Sequence, residues 1–468
     1  MSKKFKRILF VVLCLLFCTL TPAVILYSQG YRWDFQQKKI VKVGGIFLKI
    51  RPTGCQVYLN SKLVKNTNFI FDSVYLGNLL PNTYSVRIEK DGYSSWEKQL
   101  KVVSKQVTEA KNIILFRNIP EVVESGINDI EKVLYEDANT LILIQYSKTE
   151  SPKLLVIDKA KFAIVKSISF KLFSSVFEKE EITKLLPFSD MKRFLVLTKK
   201  GEVFYINLTT SPIQIKQIPI KKRVIKIQIY PPDSNNVFAI AEKNNKKELL
   251  LIKLPQFTIA PLEITPSNNY QILDFYIQKN GDIFWLAENG FLYRGELKNS
   301  HLQTVEILNL KPLSKLKTPK LIIENKRKIF VLDQEKLFYL NPFTHNFLLV
   351  FEKVQNIQFS PSKKIISATT PHQVWLFYLE KEYNQPQREA GQKVLLEGFE
   401  ENIKKVLWYD NYHLIVNLDN KIVIIETDNR SRVNKAEIYT GEGEIFSSPK
   451  KDRFILYKNK TLLELKPI

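Results

Sequence analysis

Apolar positions in this chain fall into three regimes. Residues 8 to 28 form one run without a charged side chain, long enough to cross a bilayer as a helix. From residue 31 to about 116 apolar and polar residues alternate over short stretches, the period of half-buried strands. "GGIFLKI" runs to Pro52, which cannot donate to a sheet ladder. "CQVYLNSKLV", "NFIFDSVYLGNLL", "TYSVRIEK", "SWEKQLKVV" and "EAKNIILF" follow, with turns at Asn60-Ser61 and at "DGY", where Gly92 supplies positive φ. Roughly seven strands with no helical period predict a compact antiparallel sandwich. Ahead of it, "YRWDFQQKKIVKV" reads as a hairpin with its tip near residues 36–39.

Beyond residue 120 a strand–turn–strand theme recurs. It is visible in "FLVLTKKGEVFYINL" (194–208), "IFWLAENGFLYRGEL" (283–297), "KIFVLDQEKLFYLNP" (328–342) and "HLIVNLDNKIVIIET" (413–427). Shorter strands precede several of these, among them "ITKLLPFSDMK", "VIKIQIYPPDSNN", "VQNIQFSPSKK" and "IKKVLWYDN". Units begin near 127, 180, 224, 271, 320, 356, 403 and 444. A period of roughly 40 to 50 residues with three or four strands per unit predicts a β-propeller. Eight blades are favoured and seven are the alternative. The last unit has three strand-like runs, and "NIPEVVES" (118–125) is expected to supply its fourth, joining the two ends and hiding sheet edges. Two stacked sandwiches would need less even spacing. The predicted fold class is mainly β: a basic stub (1–7), a membrane-spanning helix (8–28), a small sandwich with its hairpin (31–117) and a propeller (118–468).

The flanks of the apolar run set an expected address. Lys3, Lys4, Lys6 and Arg7 precede it, so the amino terminus is expected in the cytoplasm and the bulk of the chain outside. The run exceeds a signal-peptide core, and no small-x-small site follows it, which favours an uncleaved anchor over a cleaved leader. Phe17 before Cys18 argues against a lipoprotein site. Cys14 and Cys18 lie in the span, leaving Cys55 as the one thiol outside it. A single thiol builds neither an intramolecular disulfide nor a cysteine metal site.

Charge and chemistry narrow the picture further. Seventy Lys and Arg against 47 Asp and Glu give a formal charge of +23, which favours anionic partners. The cations are spread along the chain, as solubility alone would also produce. Lys221, Lys222 and Arg223, and Lys450, Lys451 and Arg453, are candidate anionic contacts; such turns are more often simply solvated. The four histidines (His301, His345, His372, His413) fall in four different repeats. They form no metal-protease spacing, and no Gly-x-Ser-x-Gly elbow occurs. No catalytic, cofactor or metal residue is therefore assigned. Asp274, Asp282, Asp333, Asp410 and Asp419 read as turn acids bonding their own backbone. Trp285, Trp375, Trp408, Tyr378 and Tyr409 could stack on sugars, but packing between blades is the expected role.

Two stretches carry resemblances. "GIFLKIRPTGCQVYLNSKL" followed by "LGNLLPNTYSVRIEKDGYSSWEKQLKV" resembles the PEGA domain, a small β-sandwich of bacterial and archaeal surface proteins. Pro52, Val57, Tyr58, Leu59, Pro81, Tyr84, Gly92 and Tyr93 fall where that pattern wants them, and the resemblance covers residues 44–116. Asn82 stands where glycine is usual and tolerates left-handed φ. Asn60-Ser61 replaces an Asp-Gly-like turn, and Cys55 fills an alanine-like position. The resemblance implies a structural or interaction module outside the cell. "FSPSKKIISATTPHQVWLFYL" (359–379) resembles blades of WD40 and TolB-like propellers.

Three functions follow as expectations. The first is a membrane-anchored, non-catalytic envelope scaffold that binds a protein partner through its propeller. The second is a module for anionic cell-wall or surface polysaccharide. The third is an extracytoplasmic lyase or hydrolase with its site in the propeller channel. No nucleic-acid partner is expected of an exported chain.

Overall fold

The computed structural model describes residues 3–35, 38–67, 72–146, 152–169, 181–211, 213–244, 246–265, 270–450 and 452–468. Helix α1 (Lys3–Ser28) comes first, with Pro22 inside it. Its Ile8–Ser28 part is long and apolar enough to cross a membrane, and the rest of the protein buries none of it. Membrane anchors and signal sequences share this length and composition. The hairpin of β1 (Tyr31–Asp34) and β2 (Lys39–Lys42) follows directly. Arg32 ties the two together, its guanidinium lying 3.4 Å from the Tyr27 ring centroid.

Seven strands form the sandwich: β3 (Gly44–Arg51), β4 (Gln56–Leu59), β5 (Lys62–Asn66), β6 (Ser73–Leu79), β7 (Thr83–Glu89), β8 (Trp96–Lys101) and β9 (Val107–Ile114). One sheet runs β6–β3–β9, the other β5–β4–β7–β8. Alternate residues of each strand (Ile46, Leu48, Ile50; Val57; Val86, Ile88) meet in one core. Two expectations need correction. The sandwich is not purely antiparallel, because β9 pairs parallel with β3; the chain crosses to the second sheet between them and returns in the same direction. Asn82 is not among the left-handed residues; its side-chain oxygen instead accepts the Thr83 N–H at 2.8 Å. The first run of "NFIFDSVYLGNLL" lies at 68–71, outside the described residues, and the second is β6.

Strand β10 (Glu121–Glu124) then leaves the sandwich and pairs with the last strand of the chain, Thr461–Lys466. Between these ends lie eight up-and-down sheets. Their first strands are Ile130–Glu136, Ile182–Pro187, Arg223–Ile229, Ile272–Ile277, Lys320–Asn325, Asn356–Phe359, Ile403–Trp408 and Glu444–Ser447. The fourth sheet gains an extra outer strand, Ile264–Thr265, parallel to His301–Ile307.

Closure of the ring is visible in the apolar cores. The second and third strands of the blades are largely buried on both faces, and a separate cluster fills each gap between successive sheets. One more cluster, with Leu141 and Ile157 of the first blade against Phe446 and Ile455 of the eighth, joins the ends. Eight gaps for eight sheets make a closed eight-bladed propeller, and β10 completes the eighth blade from the amino-terminal side. Burial of apolar faces between neighbouring blades is what stabilises a ring of sheets too small to fold singly. The tryptophans serve this packing: Trp285 is 1% exposed and stacks on Tyr293. Trp375 and Trp408 pack against the clusters of the fifth–sixth and sixth–seventh gaps.

Candidate interaction site

The eight motif residues of the sandwich serve its own fold. Pro52 follows the last residue of β3, and Val57 is fully buried. Tyr58 lies under the Arg87 guanidinium, 4.8 Å from centroid to cation, and Leu59 packs on the core. Pro81 opens the turn in which the Tyr84 hydroxyl donates to the Leu80 carbonyl at 3.0 Å. Gly92 has φ +79°, and Tyr93 bridges to Arg117. Asn60 and Ser61 adopt φ of +49° and +67°, the left-handed pair that a two-residue hairpin between β4 and β5 demands. Cys55 is fully buried, its Sγ 3.0 Å from the Pro52 carbonyl, and burial pushes its thiol pKa up. A buried thiol held protonated is inert.

The sandwich is clasped to the ring by the edge of β8. Alternation places Trp96, Lys98 and Leu100 on one side. Lys98, with a fully buried side chain, reaches into the loop between the third and fourth strands of the seventh blade. There its ammonium lies 2.7 Å from a Glu426 carboxylate oxygen and donates to the carbonyls of Asp428 (2.6 Å) and Arg432 (2.5 Å). Glu426 also accepts the Trp96 indole N–H at 2.9 Å and the Asn434 backbone N–H at 2.9 Å. Backbone N–H groups of Glu97 and Gln99 find Asn434 and Ser431 side chains. The edge of β9 is covered likewise by Gln385 of the sixth blade, which accepts the Glu109 N–H at 3.0 Å and donates to Val107. Two exposed strand edges, otherwise templates for aggregation, are thus used to hold the domains together. The gap beside Trp96, Ile113, Tyr378 and Tyr412 encloses about 30 Å³, room for a water or two and not for an organic ligand.

This joint defines two faces. In an up-and-down blade, the turns after the first and third strands lie at one end. The turn after the second strand and the link to the next blade lie at the other. The sandwich contacts loops of the first kind, so that end is the near face. Lys450 and Arg453 lie on the near face, in the first turn of the eighth blade; Lys451 is outside the described residues. Arg453 is committed to structure, 2.9 Å from both Asp452 and the buried Glu464. Lys221, Lys222 and Arg223 lie on the far face, in the link between the second and third blades. Lys222 pairs with Glu248, while Lys221 and Arg223 are exposed. The two basic turns are therefore on opposite faces and form no common site.

A different set of side chains converges on the axis. First strands of several neighbouring blades touch one another, the first and second, fourth and fifth, sixth and seventh, and seventh and eighth, as strands lining a central channel do. At the same position near the start of each stands a polar residue: Lys132, Lys184, Lys226, Asp274, Lys320, Asn356, Lys405 and Glu444. In five blades a β-bulge directly precedes it, as between Ile182 and Lys184 or Val224 and Lys226. Such a bulge re-aims the side chain that follows. Asp274 illustrates the ring, taking the Lys226 ammonium at 2.6 Å and the Leu321 N–H at 2.7 Å. It caps the next blade and not its own turn, unlike the expectation; Asp333 likewise reaches outside its own turn, accepting the Thr318 N–H at 2.7 Å in the link that precedes its blade. Lys405 lies 3.1 Å from Glu136, and burial together with Glu136 raises the Glu444 carboxyl despite Lys405.

Residues 43–114 match the PEGA domain family. Two solved structures are similar to this chain. One is the β-propeller domain of Cps50 (Swd1) from Myceliophteria thermophila, 13% identical, covering 69% of this chain and 99% of that one, with a TM-score of 0.40. The other is the WD40 domain of SCAP from fission yeast, 12% identical, covering 74% and 98%, with a TM-score of 0.45. No curated protein is detectably similar in sequence.

Proposed function

We propose that this chain is a non-catalytic scaffold of the cell envelope, anchored in the cytoplasmic membrane by α1 and docking a protein partner on the far face of its propeller. The basic residues ahead of α1 favour a cytoplasmic amino terminus with the β domains outside. The observation that carries the reading is the clasp around Lys98. It fixes the near face against the PEGA domain, so the far face is the broad rigid surface turned away from the anchored end. A rigid ring with many exposed turns suits docking of a folded partner.

Photo-crosslinking in intact cells tests this. A crosslinker replacing Lys200 or Gln334, both in far-face turns, is expected to capture one specific envelope protein. The same group replacing Asp190 or Lys326, in near-face turns, is expected to capture none. Equal capture from both faces, or none from the far face, would overturn the proposal.

A further inference from the structure

The channel ring is charged beyond what the fold needs. Its eight positions hold five lysines against two carboxylates and one amide. Three of the lysines have local partners: Lys226 has Asp274, Lys405 has Glu136, and Lys132 donates to the Ile182 carbonyl at 3.1 Å with Glu181 at 3.9 Å. Among the described residues, Lys184 and Lys320 have no ion-pair partner. They come from the second and fifth blades, yet the Lys184 ammonium is influenced by Lys320 as well as by neighbouring Lys226. Charges three blades apart can meet only across the open axis. Burial first, then these two cations, hold the Lys184 pKa below the ordinary lysine value, against the opposing pull of Asp274. Like charges gathered around one opening raise a positive potential at its mouth.

We propose that the far-face mouth of the channel is a binding site for a compact phosphate-bearing oligoanion, gripped by Lys184 and Lys320 from opposite sides with Lys226 and Lys132 beside them. Several point-charge ammonium groups around one opening suit a multivalent phosphate group better than a single planar carboxylate, which arginine forks bind bidentately. Asp274 and Asn356, at the same level, limit the ring's charge and supply polar edges. Lys221 and Arg223, on the same face in the link that feeds the third blade, extend the positive approach. Free polyphosphate and a phosphodiester polymer offer the same chemistry. This site is independent of the protein-docking proposal.

The test uses the full chain in detergent micelles, with tripolyphosphate, a short poly(glycerol phosphate) and citrate as probes, read by calorimetry and by thermal unfolding. Saturable one-to-one binding of a phosphate probe is expected, weakening as salt rises and raising Tm as a native-state ligand must. Whichever phosphate probe binds more tightly identifies the source. Lys184→Gln/Lys320→Gln should lose at least tenfold in affinity, and each single variant part of that. Relief of repulsion should leave the Tm without ligand equal or higher. Lys450→Gln, on the near face, should bind as the parent does. Absence of saturable binding, citrate binding as tightly as phosphate, or undiminished binding in the lysine variants would each overturn the proposal.

Discussion

Lys98 is the residue on which the association of the two β domains turns. Its charge is buried with a carboxylate and loop carbonyls, so removing it strands Glu426 and those carbonyls in a dry joint. Breaking one side of such a pair costs about 3–5 kcal/mol, because the remaining charge stays uncompensated. Lys98→Met should therefore lower Tm clearly and expose residues 428–434 to protease, whereas the equally conservative Lys101→Met, on an exposed side chain, should not. A Tm unchanged in Lys98→Met would show the joint to be incidental. In sequence this lysine is one of many, and only the alternation of "WEKQLK" places it with Trp96 and Leu100 on the inward side. Its partners lie about 330 positions away in the chain, a contact that no local pattern encodes.

At the scale of elements, regular blades were the most legible part. Strand–turn–strand alternation places all eight units within a few residues of their observed starts, because each blade is one local meander of alternating apolar residues. The closing strand was legible too, since the last unit lacked one run and an orphan run preceded the first. The parallel pairing of β3 with β9 was not, because alternation is the same for either direction of a strand. Nor was the channel ring. A polar residue two after an apolar one looks like a solvated strand edge in any single unit, and becomes a site only when a closed circle superposes eight of them. The turn of the seventh blade shows how one element is locked. His413 Nδ1 lies 3.0 Å from Asp410 Oδ1, the Tyr412 N–H donates to the same oxygen at 2.7 Å, and Phe116 packs edge-on against the imidazole. Burial pushes the Asp410 carboxyl up, but the His413 ring and the Tyr412 and His413 N–H donors outweigh it and hold the pKa below its ordinary value. A carboxylate with a depressed folded pKa stabilises above its unfolded pKa and loses that contribution as pH falls through the folded one. Asp410→Asn should thus melt below the parent at neutral pH, with the gap closing in the acid range below about pH 4. A gap independent of pH would contradict the ionic origin.

For the whole molecule, the order of parts creates a stalked platform. An apolar helix, a hairpin, the PEGA domain and a closed ring follow one another, and the chain's two ends meet in the eighth blade at β10. Among the described residues the PEGA domain contacts one face of the ring, through loops of the sixth and seventh blades, and leaves the opposite face with its charged channel mouth uncovered. Rigid seating of the ring on the PEGA domain is the claim from which the proposed docking function follows. Pulsed dipolar spectroscopy measures it directly, with spin labels on Lys62→Cys in β5 and Glu335→Cys in a far-face turn, in a chain carrying Cys14→Ala and Cys18→Ala. A single narrow distance distribution, broadened by adding Lys98→Met, is the predicted result; a broad or multiple distribution in the parent chain would contradict it.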